Sequence, residues 1–179
     1  MFSNYFKRDK SKPEKQIARV LLNNSMTLAI AESCTGGLLS SRMTDIPGSS
    51  VYTKANFVTY SNEAKHELLS VSTKKLEEYG AVSREVAHEM AEGLYDKTKC
   101  DIAICTTGIA GPSGGSDDKP VGLLYVAIKN QLNIDIKEYK LDSKLKRTTM
   151  KYEFTQCALK QLLEFIQNNY LINSDKSSL

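Results

Sequence analysis

The sequence predicts a single α/β domain, a three-layer α/β/α sandwich whose central sheet is mixed but mostly parallel. Apolar segments of strand length alternate along the chain with segments whose apolar residues recur at helical spacing. Residues 101–105 are almost continuously apolar, which is typical of a strand buried on both faces. The last two strand patterns, residues 121–129 and 132–140, flank a short turn and predict a hairpin, which makes the sheet mixed.

The predicted domain covers residues 14–172. Residues 1–13 are polar and basic and are expected to be a flexible lead-in, and residues 173–179 are expected to be a polar tail. The chain has 179 residues and no internal repeat, so it is long enough for one domain with a sizeable core.

The composition is that of an ordinary globular domain, with 41% apolar and 25% charged residues. A formal net charge of +3 is too small to predict nucleic acid or an anionic membrane as a partner, and no apolar run reaches the length of a membrane span. The N-terminus lacks the apolar segment of a signal peptide, so a cytoplasmic location is expected. The four cysteines form no Cys-x-x-Cys pair, which argues against zinc and for reduced thiols.

Strand and helix patterns alternate through the first part of the domain. Apolar residues at helical spacing predict a first helix that ends near Asn23. Residues 26–31 have the length of a strand, and a second helix is expected to run to about Asp45. Proline and glycine then predict a loop over residues 46–50, and residues 56–60 are rich in the side chains that favour strands.

Three serines mark helix starts in the middle of the chain, because a serine side chain can accept a hydrogen bond from a free amide of the first turn. They are Ser61, Ser72 and Ser83. After the buried strand, residues 106–120 are rich in glycine and predict a long loop. A last helix is expected from about residue 145 to residue 170.

The turn over residues 31–37, Ala-Glu-Ser-Cys-Thr-Gly-Gly, is the clearest candidate for a functional site. It joins a predicted strand to a predicted helix, so Ser33 would be held out at the end of the sheet. The paired glycines allow a substrate to approach the backbone, and the helix start supplies free amides. This arrangement fits a phosphate site, a nucleophile with an oxyanion hole, or a serine that merely caps the helix.

Three polar segments are expected to meet at one edge of the sheet. Ser33, Tyr60 and the loop over residues 106–115 each follow a predicted strand. Ligands of open α/β sheets bind beyond the carboxyl ends of the strands. This convergence is the strongest argument for a functional site that can be made from the residues alone.

A serine nucleophile needs a base within hydrogen-bond reach. The chain has only two histidines, His66 and His88, and both fall in the middle of predicted helices, so a Ser-His-Asp triad is poorly supported. Tyr60 and Lys65 lie at the head of one helix, where burial and the helix dipole would lower the pKa of the lysine. The alternative to a catalytic role is that Lys65 is solvated and Tyr60 is merely packed. Cys34 is an alternative nucleophile, although cysteine is commonly a small buried apolar residue.

The glycine-rich loop over residues 106–120 is a second candidate for ligand binding, because its backbone amides can form nests that hold anions. Thr106 and Thr107 could bond to phosphate or substrate oxygens, and Lys119 could pair with a phosphate. The loop matches neither the Walker pattern nor the dinucleotide-binding fingerprint. Its two adjacent aspartates are expected to be solvated, so no metal site is predicted.

Five motifs, in the same order and spacing, resemble the C-terminal domain of CinA, the competence/damage-inducible protein family. The resemblance runs from about residue 14 to about residue 163. The motifs are residues 31–37, 47–50, 58–65, 80–83 and 107–122.

This resemblance implies a three-layer α/β/α domain that hydrolyses nicotinamide mononucleotide to nicotinate mononucleotide and ammonia, as part of pyridine nucleotide salvage. It also implies a homodimer and no cofactor. We expect no direct contact with nucleic acid or membrane. The alternative is a non-catalytic nucleotide-binding or regulatory module of the CinA type, linked to competence or DNA damage.

The resemblance also implies roles for individual residues. Ser33 is the expected nucleophile, and Lys65 takes its proton with the help of Tyr60. Backbone amides of residues 35–37 are expected to stabilise the oxyanion, and Arg147 or Lys119 to neutralise the phosphate. The residues expected to bind the oxyanion or the substrate are Glu32, Thr35, Gly36, Gly37, Asn62, Thr107, Gly108, Gly111, Gly114, Gly115, Lys119 and Arg147.

Three features depart from the family pattern. Ala55 and Asn56 stand where relatives usually carry two glycines. Ser143 replaces the first arginine of a Gly-Asp-Arg-x-x-x-Arg segment, so phosphate recognition by that arginine is lost or passes to Lys144. The sequence also lacks the N-terminal nucleotide-processing domain of full-length CinA, so the activity of that domain is not expected of this chain.

Overall fold

The computed structural model describes residues 12–171. Of the predicted lead-in, only residues 12 and 13 fall within this range, and the first helix already begins at Pro13. The predicted tail lies outside this range. The elements follow in the order α1 Pro13–Asn23, β1 Leu28–Glu32, α2 Leu38–Thr44, α3 Ser49–Tyr52, β2 Thr53–Val58, α4 Asn62–Leu69, α5 Thr73–Tyr79, α6 Arg84–Thr98, β3 Ile102–Gly108, β4 Leu123–Lys129, β5 Ile134–Lys140 and α7 Arg147–Ile166, which continues into a short π-helix, Gln167–Leu171.

The strands within residues 12–171 form one five-stranded sheet in the order β2-β1-β3-β4-β5. β1 pairs in parallel with β2 and β3, while β4 is antiparallel to both β3 and β5. Four strands therefore run in one direction and β4 alone runs against them, which confirms the predicted mixed, mostly parallel sheet. Because β1, β2 and β3 end at the same edge, the segments that follow them meet there.

Helices cover both faces of the sheet, and the two faces carry side chains of different size. Leu28 and Ile30 of β1 pack with α1, α2 and α7, whereas Ala29 and Ala31 pack with α4, α5 and α6 on the other face. Successive residues of a strand point to opposite faces, so one strand contributes to both layers. The small side chains of the second face leave room for α6 to lie close to the sheet.

The three predicted helix caps are confirmed. The side chains of Ser61, Ser72 and Ser83 each accept a hydrogen bond from the amide three residues further on, at 3.1, 3.4 and 3.2 Å. Among the helices within residues 12–171, none has both the length and the apolar character needed to cross a membrane.

Several boundaries differ from the prediction by two residues or more, and three of the differences have a clear cause or consequence. β3 continues to Gly108, three residues past its predicted end, because Thr106 and Thr107 pair with residues of β4. The short helix α3 begins inside the segment predicted as a loop over residues 46–50. β2 begins at Thr53 rather than at residue 56, because it pairs along the whole length of β1.

Candidate active site

Ser33 lies directly after β1, in the turn that leads to α2. Its amide donates to the carbonyl of Thr106 on the neighbouring strand β3, at 3.0 Å, so the strand pairing continues one residue past β1. The residue is 9% exposed. The N-cap residue of α2 is Gly37, and the Ser33 side chain makes no capping hydrogen bond. The helix-cap alternative for this serine is therefore wrong.

The ammonium of Lys65 lies within hydrogen-bond distance of Ser33. Lys65 is in the first turns of α4, and helical side chains tilt toward the N-terminus of their helix, so this one reaches back past the helix start. Its Nζ donates to the Ser33 hydroxyl at 3.2 Å and to the Thr59 carbonyl at 2.9 Å. Only 1% of Lys65 is exposed, so the alternative of a solvated lysine is wrong.

Burial changes the acid–base properties of the two groups beside Ser33. Loss of water around the ammonium lowers the pKa of Lys65 below its ordinary value. A lowered pKa increases the fraction of neutral amine, which can accept a proton. Burial also raises the pKa of the Cys34 thiol to about 12, so this group stays protonated near neutral pH. Cys34 is therefore a poor nucleophile.

The carboxylate of Glu32 supports the turn from inside the protein. It is fully buried and accepts hydrogen bonds from the amides of Gly37, Leu39 and Ser40 and from the Ser40 hydroxyl, at 2.6 to 3.0 Å. This anion occupies the positive N-terminus of α2, where a substrate group was predicted to bind. We therefore assign Glu32 to holding the turn in place.

Two of the turn amides that were predicted to bind an oxyanion already have acceptors. Gly36 and Gly37 donate to oxygens inside the turn, at 3.1 and 3.0 Å. Within the part of the chain that the structure describes, the amides of Cys34 and Thr35 donate to no other backbone group. The amides of these two residues are thus the donors left for an incoming oxygen.

The threonine hydroxyls near the turn connect elements of the fold. Thr106 and Thr107 are successive residues of β3, so their side chains point to opposite faces of the sheet. The Thr106 hydroxyl bonds with that of Thr35 at 2.8 Å, and the Thr107 hydroxyl donates to the carbonyl of Ala81 at 2.8 Å. Because residues 106 and 107 belong to a strand and not to a loop, both hydroxyls are buried away from solvent.

Tyr60, Arg147 and Gly111 form the rim of the site. The Arg147 guanidinium, at the start of α7, donates to the Tyr60 hydroxyl at 2.8 Å and to the Gly111 carbonyl at 2.6 Å. Tyr60 is 60% exposed. The tyrosine that was expected to assist Lys65 thus binds Arg147 at the mouth of the site.

Residues 10–166 match the family model of the CinA C-terminal domain. This chain belongs to that family. It is similar to a CinA-like protein from Chlorobium limicola, with 46% identity over 157 residues, which is 86% of this chain and 37% of that protein. The chain therefore spans little more than a third of the length of this relative.

Solved CinA structures share the fold along almost the whole domain. The competence/damage inducible protein CihA from Agrobacterium tumefaciens superposes with a TM-score of 0.79 at 37% identity, covering 86% of this chain and 96% of that one. A competence-damaged protein (CinA) superfamily protein from Escherichia coli superposes with a TM-score of 0.81 at 33% identity, covering 86% and 88% of the two chains.

In this CinA domain the glycine-rich loop folds back on its own return segment. A Cβ on Gly111 or Gly115 would lie 2.5 or 2.8 Å from atoms of Val121, so only glycine fits at either position. The Lys119 ammonium donates to the Tyr79 carbonyl at the end of α5. Lys119, which was predicted to pair with a phosphate, is thus attached to α5 in this structure.

The remaining predicted residues of the CinA motifs are Gly108, Gly114 and Asn62. Gly108 is packed against the Leu123 carbonyl and the Cys34 sulfur, which leaves no space for a side chain. Gly114 is exposed on the loop, and Asn62 is exposed at the start of α4, in a groove between α4 and α5. Among residues 12–171, no three His, Cys, Asp or Glu side chains are grouped so that they could hold a metal ion.

Sequence reasoning missed two groups of the site. The first is the Thr59 carbonyl, which accepts a hydrogen bond from Lys65. Every residue type has a backbone carbonyl, so the sequence could not indicate this acceptor. The ammonium of Lys151 lies 3.1 Å from the position that a Cβ on Gly36 would take. Lys151 follows Arg147 by four residues, so the two share one face of α7, and this spacing is the signal that could have found it.

Proposed function

We propose that this CinA domain is a serine amidohydrolase that converts nicotinamide mononucleotide to nicotinate mononucleotide and ammonia. The observation that carries the proposal is the buried Lys65 amine, 3.2 Å from the Ser33 hydroxyl. A hydroxyl and a base at this separation are what nucleophilic catalysis requires. The choice of substrate rests on the resemblance of the five sequence motifs to CinA C-terminal domains.

In the first half of the reaction, Ser33 Oγ attacks the carboxamide carbon while the neutral amine of Lys65 takes the hydroxyl proton. The carboxamide oxygen becomes negatively charged and is received by the amides of Cys34 and Thr35. One donor of this kind contributes about 3 kcal/mol to stabilising a transition state. Lys65 then transfers its proton to the amide nitrogen, the C–N bond breaks, and ammonia leaves an ester on Ser33.

In the second half, a water molecule attacks the ester carbon and Lys65 accepts its proton. The bond to Ser33 breaks, Lys65 returns the proton to Ser33 Oγ, and nicotinate mononucleotide is released. Water thus supplies one oxygen of the product carboxylate, and one of its protons replaces the Ser33 hydroxyl proton that left with ammonia. The same lysine serves as base and then as acid in each half.

Arg147 at the rim is suited to the phosphate end of the substrate. It is exposed, always charged, and fixed by its bonds to Tyr60 and Gly111. Lys119, the other predicted partner of the phosphate, would first have to leave the Tyr79 carbonyl.

The proposal is tested by measuring ammonia release from nicotinamide mononucleotide, nicotinamide and glutamine in parallel. We expect rapid release from the mononucleotide and at least tenfold lower kcat/KM for the other two amides. Release chiefly from glutamine would contradict the substrate. Binding of the mononucleotide without any ammonia would contradict the chemistry and favour a regulatory module.

A further inference from the structure

Lys151 places a positive charge beside the catalytic turn that the proposed mechanism does not use. Its side chain runs from α7 to Gly36, with Cε 3.6 Å and Nζ 3.1 Å from the position of a Cβ at residue 36. Any side chain at that position would therefore displace the ammonium. Gly36 lies three residues after Ser33, so this charge is held at the edge of the site.

Within residues 12–171, the Lys151 ammonium contacts no acidic side chain and no hydrogen-bond acceptor. The buried carboxylate of Glu32 is in the same turn, but its oxygens are taken up by amides and a hydroxyl of that turn. A cation without a counter-charge, at the edge of a site, favours an anionic ligand.

Arg147 lies one helical turn before Lys151, on the same face of α7. Two of the donors of Arg147 are already bound to Tyr60 and Gly111. The two side chains together give the mouth of the site two positive charges. A phosphate group carries a charge near −2 at neutral pH and accepts several hydrogen bonds at once.

We infer that Lys151 binds the phosphate of the mononucleotide substrate. This inference rests on the proposed function, because it assigns a ligand group to the same site. The sequence offered Lys144 for this role. However, Lys144 is exposed in the turn before α7, where its amide bonds to Asp142. The ammonium that lies beside the catalytic turn belongs to Lys151.

The test compares Lys151→Gln with Lys151→Arg, and uses Lys144→Gln as the matched control. Two substrates are needed, nicotinamide mononucleotide and nicotinamide riboside, which differ only in the phosphate. For Lys151→Gln we expect KM for the mononucleotide to rise at least tenfold with kcat within about threefold. The preference for mononucleotide over riboside, as a ratio of kcat/KM values, should fall by the same factor. Lys151→Arg and Lys144→Gln should stay within about threefold of the wild type.

An unchanged preference in Lys151→Gln would overturn the inference. So would an equal loss on both substrates, which would mean that Lys151 supports the turn or the oxyanion instead. Binding of nicotinate mononucleotide, measured by calorimetry, separates this inference from the proposed function. If the wild type releases no ammonia, at least tenfold weaker binding by Lys151→Gln still supports the phosphate contact. Equal binding by both proteins, or none by either, contradicts it.

Discussion

The Thr59 carbonyl determines how Lys65 faces Ser33. A carbonyl can only accept a hydrogen bond, so one N–H of Lys65 must point at Thr59, 2.9 Å away. In the neutral amine the lone pair is then free to accept the Ser33 hydroxyl proton, across 3.2 Å. The backbone thus orients the base before any substrate arrives, and the lowered pKa of Lys65 supplies the neutral form.

The pH dependence of kcat/KM should report the titration of Lys65. Because desolvation lowers the pKa of this lysine, we expect activity to rise with pH along a limb whose midpoint lies below the ordinary lysine value of 10.5. Lys65→Arg, which stays protonated, should lose roughly a thousandfold or more in kcat. His66→Ala, at the neighbouring exposed residue, should leave the midpoint unchanged. A limb that vanishes in His66→Ala would contradict the role of Lys65.

Replacement of Glu32 by glutamine should destabilise the fold. The Glu32 carboxylate accepts from four donors, whereas the glutamine amide group would present its own N–H to some of them. Buried donors left without acceptors should lower the free energy of unfolding by about 3 kcal/mol, measured by urea denaturation. The exposed Glu77→Gln is the control and should change it by less than about 0.5 kcal/mol. Equal effects of the two changes would exclude the supporting role of Glu32.

At the scale of elements, the position of Lys65 depends on how α4 lies against α6. Gly93 of α6 faces the C-terminal end of α4, and a Cβ there would lie 1.7 Å from the carbonyl oxygen of Leu69. Only a residue without a side chain allows this close approach. The contact fixes α4 over the sheet and so sets the distance from Lys65 to Ser33.

Gly93→Ala should therefore push α4 away from α6. Alanine has the higher helix propensity by about 1 kcal/mol, but the overlap with a backbone oxygen cannot be relieved by a rotamer change. We expect a net loss of about 3 kcal/mol in unfolding free energy and a fall in kcat that exceeds any change in KM. Lys97→Ala, exposed on the same helix, is the control. A stabilised Gly93→Ala protein would show that the two helices are not held this closely.

At the scale of the whole molecule, the two sides of the sheet are packed differently. Ala103 and Ile104 are neighbours on β3, both fully buried, and they face opposite layers. The layer with α6 lies against small side chains of the sheet, such as Ala29, Ala31 and Ala103. The layer with α1 and α7 is filled by large aliphatic side chains.

This asymmetry predicts that enlarging the side chain at residue 103 lowers stability more than shortening the side chain at residue 104. Ala103→Leu should lower the free energy of unfolding by about 2 kcal/mol or more, because the extra atoms meet α6. Ile104→Val removes one methylene group and should cost about 1 kcal/mol. Urea denaturation of the two variants measures both. A smaller loss for Ala103→Leu than for Ile104→Val would mean that the face toward α6 is loosely packed.

Much of the fold could be predicted because its signals are local. The alternation of strand and helix patterns, the hairpin and the three serine caps depend on residues close in sequence. The end of β3 could not be predicted, because Thr106 and Thr107 are strand residues only through pairing with β4. The glycines that follow these two threonines are as compatible with a loop as with the end of a strand.

The candidate site was predictable where it depended on topology. Parallel strands end at one edge, which brings the turn after β1 beside the segment after β2, and hence Lys65 beside Ser33. The path of the glycine-rich loop depends instead on long-range packing, so the attachment of Lys119 to α5 left no pattern in sequence. The spacing from Arg147 places Lys151 on the same helix face, but only the folded chain places its ammonium beside Gly36.

The most direct test of the central claim is ammonia release by Ser33→Ala. If Ser33 is the nucleophile, kcat on nicotinamide mononucleotide should fall at least about a thousandfold, while calorimetry shows binding of the mononucleotide within a few-fold of wild type. Cys34→Ala, one residue further along the turn, should keep activity within about threefold. A Ser33→Ala protein that retains a tenth or more of the wild-type rate, or a Cys34→Ala protein that is inactive though folded, would contradict this assignment.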